Sequence, residues 1–578
     1  MKQKENFHQQ KKAILIGIIS ILFSFLSCTA SPDQVRTISG TIIYRGDQKG
    51  PVQIRLYKLE VTSQGRVLSL SKGDIYGAQK PFKEITLKEP STYEFSRLPS
   101  GHYSVLAFMD LDKDQKLDFK PFEPLGWYAS QPGARFSSVE LTQENKSNAD
   151  FLLRAPTPFP EEDIQIEHGA LTWIQELPVL QLKGTLEERG YAHGYLLGKQ
   201  ILDFFEFYVV EDSWRSAKNY KDIFVPFLET HFNLPPAYKK ESQSLIQGMK
   251  DSGIDMKVES LEREFNQTDL LAINAYIERR AAFPVSSPSS CTQFAFWGDF
   301  TQDSNLNRGL IAARNMDGEC DVRKVTVSHF LIYAVDPSEP GHKRWVSFMW
   351  PGFIGTISGI NEDGLYSMEN AGGTGPGPVV KNITPCSWVQ RDILEKSTQK
   401  NTPDEILKKM NPFQCNGGGV TAPGSIILWA LPYQGQKEPA FVYEGDRFGG
   451  KMRNPAEVRP VHPHNIMASN HHKVYGFDPE QPYLSFERRV SFSSLWRYEV
   501  GMNELEAWAR QEKTLGISEA KRLLQIVSHS STEYSVIFSA NEMKIWVAVD
   551  DLKTNLWDAP YLEWKEYHFD QLFDHSPL

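Results

Sequence analysis

In this 578-residue chain, Cys291 has the side chain and the position in the sequence that best suit covalent chemistry. It follows the loop 284–290 (PVSSPSS) and begins a run typical of a β-strand, CTQFAFWGDF. A thiol attacks only as the thiolate, so it needs a base or a cation beside it. A lone Cys at a strand start is more often a buried structural thiol. The residues around Cys291 must therefore decide between these two interpretations.

A set of motifs surrounds this Cys in a fixed order. Gly190-x-x-His193-Gly194-x-x-x-Gly198 precedes it, and RNMD (314–317), GTISGINEDGLYSMENAGG (355–373), ASNHH (468–472), SFERR (485–489) and TEYSVIFSANEMKIWVAV (532–549) follow. In this order the motifs resemble the acyl-coenzyme A:6-aminopenicillanate acyltransferase-like family of cysteine N-terminal-nucleophile (Ntn) hydrolases. That family is similar in turn to penicillin V acylase, bile-salt hydrolase and acid ceramidase. Each motif alone is common, and their joint occurrence is what is specific.

The resemblance implies that the chain cuts itself between Ser290 and Cys291. The thiol of Cys291 would attack the carbonyl carbon of Ser290, and water would then hydrolyse the thioester. The new α-amine, whose ordinary pKa is about 8, could serve as base for its own thiol. The implied activity is hydrolysis of an N-acyl amide, or transfer of its acyl group, through a thioester on Cys291.

Arg314 and Asp317 are the nearest companions that the resemblance assigns to the nucleophile. Asp317 would hold the α-amine, and Arg314 would favour the thiolate and orient the amine. Without the motif, an Arg-x-x-Asp strand end indicates a surface ion pair.

Three further residues are implied to complete the catalytic set. The side-chain amide of Asn470 would stabilise a developing oxyanion, and Asn370 is the second candidate for that role. Asn370 could equally be a turn residue before glycines. Arg488 matches an Arg near the active site, and a slip of one residue to Arg489 is the alternative.

The amino-terminal residues are typical of an export signal. Lys2, Lys4, Lys11 and Lys12 precede an apolar run that is too short to span a bilayer comfortably. Residues 25–28 (FLSC) resemble a lipoprotein box, which predicts that Cys28 is acylated and that the protein is anchored to a bacterial cell envelope, outside the cytoplasm. Ordinary cleavage near Ala30, giving a protein without a lipid anchor, is the alternative.

An acidic run, DLDKDQKLD, places Asp110, Asp112, Asp114 and Asp118 at a spacing that suits calcium. The Gly that is usual in a calcium-binding loop is absent, with Gln115 in that region, and no Glu closes the loop as in an EF-hand. A calcium site and a solvated acidic turn both fit. No cofactor is expected for catalysis.

Two other signals are weaker. His462, His464, His471 and His472 lack the i, i+4 helical spacing of a zinc protease, and Pro463 indicates a loop. The glycine-rich runs GGTGPGP and CNGGGVTAPG lack the Lys-Ser/Thr of a phosphate-binding loop. We expect these segments to form loops or to line a substrate cleft.

Alternating patterns predict the elements that must position these residues. Short strands with turn residues between them fill 35–154, and a Pro-rich linker covers 155–170. Apolar residues at helical spacing dominate 171–290, and strands resume at 291 with helices between them. After a signal (1–27) and a tether (28–34), the sequence therefore predicts a small antiparallel β-sandwich.

The expected fold class is α+β, with a four-layer αββα Ntn-hydrolase domain after the sandwich. Residues 171–290 would become a light chain and residues 291–578 a heavy chain of the same precursor. Composition agrees with a globular protein, since 40% of residues are hydrophobic and 12% aromatic. A net charge of −10, with no basic cluster beyond the first twelve residues, argues against a nucleic-acid partner.

Five cysteines are too few for a disulfide framework. One disulfide among Cys320, Cys386 and Cys415 is compatible with the sequence, which does not identify the pair. Two other functions also stay open: a catalytically silent surface lipoprotein that binds ligands through its sandwich, and a papain-like protease. The latter would need a His paired with Cys291, and its local signature is missing.

Overall fold

The computed structural model describes residues 35–77, 79–142, 144–282, 290–303, 305–318, 321–373, 380–457, 463–475, 492–528, 530–552 and 557–574. They form two units. The first contains the described residues from 35 to 115 together with Leu125–Tyr128 and Phe136–Arg154, and the second contains Lys116–Pro124, Ala129–Arg135 and the described residues from Ala155 onward. In these ranges no helix combines the length and the apolar character needed to cross a membrane.

The first unit consists of two small sheets and a helical turn, Lys72–Ile75. Its strands are β1 (Arg36–Ile43), β2 (Val52–Leu59), β3 (Lys83–Leu87), β4 (Thr92–Leu98), β5 (Gly101–Met109), β6 (Leu125–Trp127), β7 (Val139–Leu141) and β8 (Phe151–Leu152). The sheet orders are β4-β1-β8 and β3-β2-β5-β6, with β7 beside β5. Both sheets contribute side chains to one hydrophobic core.

One pairing in this unit differs from the antiparallel arrangement that the sequence predicts. Strand β1 pairs with β8 in parallel, through Ile42 opposite Phe151 and Ile43 opposite Leu152. A parallel pair needs a long crossover connection, and the rest of the unit lies between these two strands in the chain.

The second unit is built on two large sheets. The strands are β9 (Ile164–Ile166), β10 (Gly169–Ile174), β11 (Leu177–Gly184), β12 (Lys257–Val258), β13 (Arg263–Glu264), β14 (Ser290–Phe296), β15 (Ile311–Asp317), β16 (Leu331–Pro337), β17 (Trp345–Met349), β18 (Ser358–Asn361), β19 (Tyr366–Ala371), β20 (Gly424–Ala430), β21 (Ala440–Asp446), β22 (Gly449–Arg453), β23 (Asn465–Ala468), β24 (Ser531–Ser539), β25 (Lys544–Val549), β26 (Trp557–Asp558) and β27 (Lys565–His568). The ten-stranded sheet has the order β22-β21-β20-β19-β18-β17-β16-β11-β10-β9, and the seven-stranded sheet has the order β23-β14-β15-β24-β25-β27, with β26 beside β24.

The principal helices of this unit lie between its strands in sequence. They are α1 (Leu186–Asp203, continued by the π-helix Phe204–Ser213), α2 (Val225–His231), α3 (Pro236–Asp251), α4 (Gln267–Asn274), α5 (Arg279–Ala282), α6 (Val325–Ser328), α7 (Cys386–Lys396), α8 (Pro403–Met410), α9 (Phe492–Arg510) and α10 (Ile517–Ile526).

The two large sheets share one core. Because side chains alternate between the two faces of a strand, one strand can also contribute to a different core on its other face. Cys291 and Ala295 of β14 belong to that core together with residues of the ten-stranded sheet. Phe294 of the same strand belongs instead to a second core with α9 and α10. A third core joins the ten-stranded sheet to α7 and α8. Helices α9 and α10 therefore pack on the seven-stranded sheet away from the shared core, and helices α7 and α8 pack on the ten-stranded sheet.

The glycine motif before Cys291 serves helix packing. A Cβ atom on Gly194 of α1 would lie 1.9 Å from the carbonyl oxygen of Leu245 in α3, and one on Gly248 would lie 2.1 Å from that of Tyr191. Only glycine allows these two helices to approach so closely. His193, between the glycines, accepts a hydrogen bond at Nε2 from Gly352 N (3.1 Å).

The start of the helical segment contains strands that the sequence analysis missed. Strands β10 and β11 form a hairpin at the edge of the ten-stranded sheet, where we predicted linker and helix. Its turn residues, Gln175 and Glu176, have φ angles of 48° and 66°. A two-residue turn with two positive φ angles is a favoured hairpin connection, but Gln-Glu is not its usual sequence.

Candidate active site

Cys291 is the second residue of β14, and its side chain is buried at 2% exposure. Its backbone N–H donates to Oδ1 of Asn470 over 2.8 Å. Its Sγ lies 3.7 Å from Sδ of Met316, the residue opposite in β15. The nitrogen and the sulfur of Cys291 therefore have separate and fixed neighbours.

Arg314 places a buried cation beside this sulfur. Its Nη2 lies 3.4 Å from Cys291 Sγ, and its Nη1 donates to the carbonyl oxygen of Ile357 over 2.6 Å. Burial lowers the pKa of the Arg314 guanidinium, but the negative charge of a Cys291 thiolate and the Tyr534 phenol outweigh it and raise the pKa. Arg314 therefore stays charged and can stabilise a thiolate.

Asp317 is the last residue of β15, opposite Ser290 in the strand register. The pairing of β15 with β24 shifts between Met316 and Asp317, as in a β-bulge. Bulges redirect a side chain. Here the carboxylate is fully buried and accepts a hydrogen bond from Thr532 Oγ1 over 2.5 Å.

Asn470 lies in the loop after β23 and is half-buried. Its Oδ1 accepts hydrogen bonds from Cys291 N and from Nη2 of Arg497 (2.9 Å), so two donors fix the orientation of the amide. Its Nδ2 donates to the carbonyl oxygen of Ala371 over 3.0 Å. Within the described part of the chain, its second Nδ2 hydrogen has no other acceptor.

Asn370 lies in β19 and is fully buried. Its Nδ2 is 3.3 Å from the carbonyl oxygen of Cys291 and 3.0 Å from that of Ser469. The described residues offer no hydrogen-bond donor to its Oδ1. The Asn370 amide therefore links the strand of the nucleophile to the loop that carries Asn470.

Arg497 is a site residue that the sequence analysis missed. Its Nη1 donates to the Cys291 carbonyl oxygen (2.5 Å) and to Thr292 Oγ1 (2.6 Å), while Nη2 donates to Asn470. Burial lowers its pKa, and the charges of Asp317 and Cys291 partly oppose that shift. The predicted Arg488 and its alternative Arg489 lie outside the described residues.

A sequence signal for Arg497 exists in helix α9. The buried residues of this helix are Ser494, Arg497, Tyr498, Gly501, Met502, Leu505 and Trp508, which follow helical spacing. An Arg in an otherwise apolar stripe has to be paired in the interior.

Two tyrosines of the shared core, Tyr276 and Tyr534, interact electrostatically with Cys291. Burial, followed by the charge of Cys291, raises the pKa of Tyr276 well above its usual range. Burial raises the pKa of Tyr534 to about 12. The Tyr276 ring lies 6.2 Å from that of Trp350 and 5.7 Å from that of Phe353. Tyr276 and Tyr534 are therefore neutral phenols close enough to feel the charge of Cys291, and the rings of Trp350 and Phe353 lie beside Tyr276.

The acidic run that was predicted to bind calcium is only partly buried. Asp110 is buried and accepts a hydrogen bond from Gln115 N over 3.1 Å, whereas Asp112 and Asp114 are exposed and Asp118 is half-buried. Gln115 has a φ angle of 65°, the left-handed conformation for which glycine is usual. Calcium binding stays a prediction.

The remaining sequence predictions have separate outcomes. Cys28, Cys320 and His462 lie outside the described residues. Cys386 and Cys415 are free buried thiols. No group of three potential metal ligands in the described ranges includes a histidine.

Comparison with known sequences finds distant relatives, and no family model matches the chain. The Dictyostelium discoideum protein dcd1B is 23% identical over 241 residues, which are 38% of this chain and 43% of that protein. An uncharacterized protein of Archaeoglobus fulgidus is 20% identical over 352 residues, 56% of this chain and 53% of that protein. The chain thus spans about half the length of the curated relatives it matches.

Three solved structures are similar over part of this chain. A Caenorhabditis elegans ortholog of N-acylethanolamine-hydrolyzing acid amidase has a TM-score of 0.31 and 13% identity, over 43% of this chain and 93% of its own. A variant of conjugated bile acid hydrolase from Clostridium perfringens has a TM-score of 0.30 and 10% identity, over 48% and 96%. Penicillin V acylase from Agrobacterium tumefaciens has a TM-score of 0.27 and 11% identity, over 45% and 83%.

Proposed function

We propose that the chain is the precursor of an amide-bond hydrolase whose nucleophile is Cys291, made amino-terminal by self-cleavage after Ser290. The observation that carries this proposal is the separate placement of two atoms of Cys291. Its nitrogen donates to Asn470 Oδ1 at 2.8 Å, and its sulfur lies 3.4 Å from the Arg314 guanidinium. A structural thiol needs neither neighbour.

Self-cleavage would begin with attack of the Cys291 sulfur on the carbonyl carbon of Ser290. The C–N bond breaks, the nitrogen takes up the thiol proton, and the acyl group moves to sulfur as a thioester. Water then hydrolyses the thioester and leaves a free α-amine on Cys291. Asn470 Oδ1, which accepts from the peptide N–H, is placed to accept from that amine too, and nearby Asp317 supplies negative charge.

Turnover would use the same two atoms on an N-acyl amide. The α-amine takes the thiol proton as sulfur attacks the acyl carbon, and the protonated amine then gives that proton to the leaving nitrogen. Arg314 stabilises the thiolate, and the second Nδ2 hydrogen of Asn470 is available for the oxyanion. Water releases a carboxylic acid, or a second amine accepts the acyl group.

The αββα order of layers and the light and heavy chains belong to this proposal. Two sheets on a shared core, each covered by helices, support the layered interpretation. The lipid on Cys28 and the envelope location stay predictions about residues outside the described ranges. The sandwich stays a prediction for the first unit, which has two sheets around one core.

Trapping of the thioester tests the proposed chemistry. Purified protein is incubated with a panel of N-acyl amides and activated acyl esters, quenched in acid, digested and analysed by mass spectrometry. We expect acylation on the peptide that begins with Cys291, and loss of the label with hydroxylamine. Amide turnover with no acylated Cys291 in any quench would assign the chemistry to another residue.

A further inference from the structure

A cavity of about 790 Å³ lies in the second unit, away from the site described above. The β10–β11 hairpin contributes one wall, through Trp173 and Leu177, and the end of β25 contributes another, through Val547 and Val549. A volume of this size is typical of small-molecule sites.

The position of the cavity follows from strand register. Cys291 is opposite Met316, Met316 is opposite Tyr534, and Tyr534 is opposite Val549, so these side chains share one face of the seven-stranded sheet. Three strand spacings separate Cys291 from Val549, which is about 14 Å. Met316 and Tyr534 are buried between them. The cavity therefore lies apart from Cys291.

The floor of the cavity is apolar and its hairpin wall is held in place. Phe159, Val327 and Phe330 are buried side chains that line it. Tyr567 donates its hydroxyl hydrogen to the carbonyl oxygen of Ile174 over 3.1 Å, which ties the hairpin to β27. A ligand would find this surface preformed, so little ordering would oppose binding.

Asp550 is a buried carboxylate in the lining of this cavity, with 4% exposure. Its Oδ1 accepts from Asp558 N over 3.2 Å, whereas no donor in the described ranges reaches its Oδ2. Burial raises its pKa to about 7, and the charge of buried Lys324 opposes that rise. A buried carboxylate oxygen without a donor is costly unless a ligand supplies one.

Charge at the rim favours a cation. Glu161 and Asp551 add carboxylates to the lining. The ammonium group of Lys565 is already 2.9 Å from both Glu176 and Glu563. Lys120 is the other basic side chain of the lining, so carboxylates outnumber the basic groups.

We propose that this cavity binds an organic ammonium ion with an apolar tail, its ammonium group donating to Asp550 Oδ2 and its tail lying on Phe159, Val327 and Phe330. The site is independent of the proposed amide hydrolysis, and it requires no cleavage before Cys291.

Calorimetric titration of the full chain at pH 8, where the Asp550 carboxyl is ionised, tests the proposal. The probes are decylammonium, decanol and decanoate, each below its micelle concentration. Because only the ammonium ion can donate to Oδ2 and carry charge, we expect it to bind at least tenfold more tightly than decanol, and decanoate to bind weakest. Equal affinities for the three probes would overturn the proposal, with no variant needed.

Asp550→Asn and Asp551→Asn form a matched pair, since each removes one carboxylate from the lining. We expect the first to weaken decylammonium binding at least tenfold and the second to weaken it less than threefold. Circular dichroism checks that both variants are folded. Folded Asp550→Asn that binds decylammonium as tightly as the unsubstituted chain would contradict the assigned contact.

Discussion

The backbone nitrogen of Cys291 lies 2.8 Å from Oδ1 of Asn470, although 179 residues separate them in the chain. The same oxygen accepts from Arg497, which also donates to the carbonyl oxygen of Cys291. Asn470 and Arg497 therefore hold both backbone polar groups of the proposed nucleophile.

Cys291→Ala should remain one chain, because the attacking sulfur is absent. For the unsubstituted protein, a mean of 65.8 kDa over 578 residues predicts pieces of about 30 kDa (28–290) and about 33 kDa (291–578). Amino-terminal sequencing of the larger piece should read Cys-Thr-Gln-Phe. Active protein that remains uncut would contradict self-cleavage.

Arg497→Lys should slow self-cleavage and turnover by about 10- to 100-fold. Lysine keeps the charge but cannot donate from two fixed nitrogens to Cys291, Thr292 and Asn470. Arg510→Lys, on the exposed side of the same helix, is the matched control and should behave like the unsubstituted chain. Measurement of cleavage by gel and turnover by product release checks both. Equal rates for the two variants would remove Arg497 from the site.

Asn470→Ala and Asn470→Asp should separate the two ends of the amide. Aspartate keeps an oxygen that can accept from Cys291 N but lacks the amide hydrogens, whereas alanine has neither the oxygen nor the hydrogens. We expect Asn470→Asp to be cut but to have a kcat lower by roughly 10²–10³-fold, and Asn470→Ala to be impaired in both steps. Single-turnover acylation of the cut protein measures the second effect. Wild-type acylation by Asn470→Asp would move the oxyanion role to Asn370 or to backbone N–H groups.

Stability should fall in acid because of His193. Burial lowers its pKa to about 3. Between about pH 3 and about pH 6.5 the histidine therefore takes up a proton only on unfolding. Its contribution to the free energy of unfolding is full above about pH 6.5 and is lost as the pH falls towards 3. At pH 5 this loss amounts to about 2 kcal/mol of the free energy of unfolding.

His193→Gln, which keeps an acceptor for Gly352 N–H, should lose less stability between pH 7.5 and pH 5 than the unsubstituted protein. His568→Gln, at a half-exposed position, is the control and should show the full loss. Urea unfolding at the two pH values measures the difference. The same loss in all three proteins would show that His193 does not cause the acid dependence.

Local sequence pattern was enough to predict some of the strands of this fold. Short runs bounded by turn residues predicted the strands that carry Cys291 and Arg314, since such a run favours a strand whatever its distant neighbours are. The β10–β11 hairpin was missed because its Gln-Glu turn lacks the residues that normally accept positive φ angles.

Local sequence indicates which short segments can become strands or helices, because this depends on neighbours a few positions away. Packing of distant segments brings Arg497, 206 residues after Cys291, to the Cys291 carbonyl oxygen and places Asp550 in the lining of a separate cavity. Such contacts depend on how β14, α9 and β25 pack against one another. That packing is set by side-chain volume and burial over the whole unit, which no local spacing records.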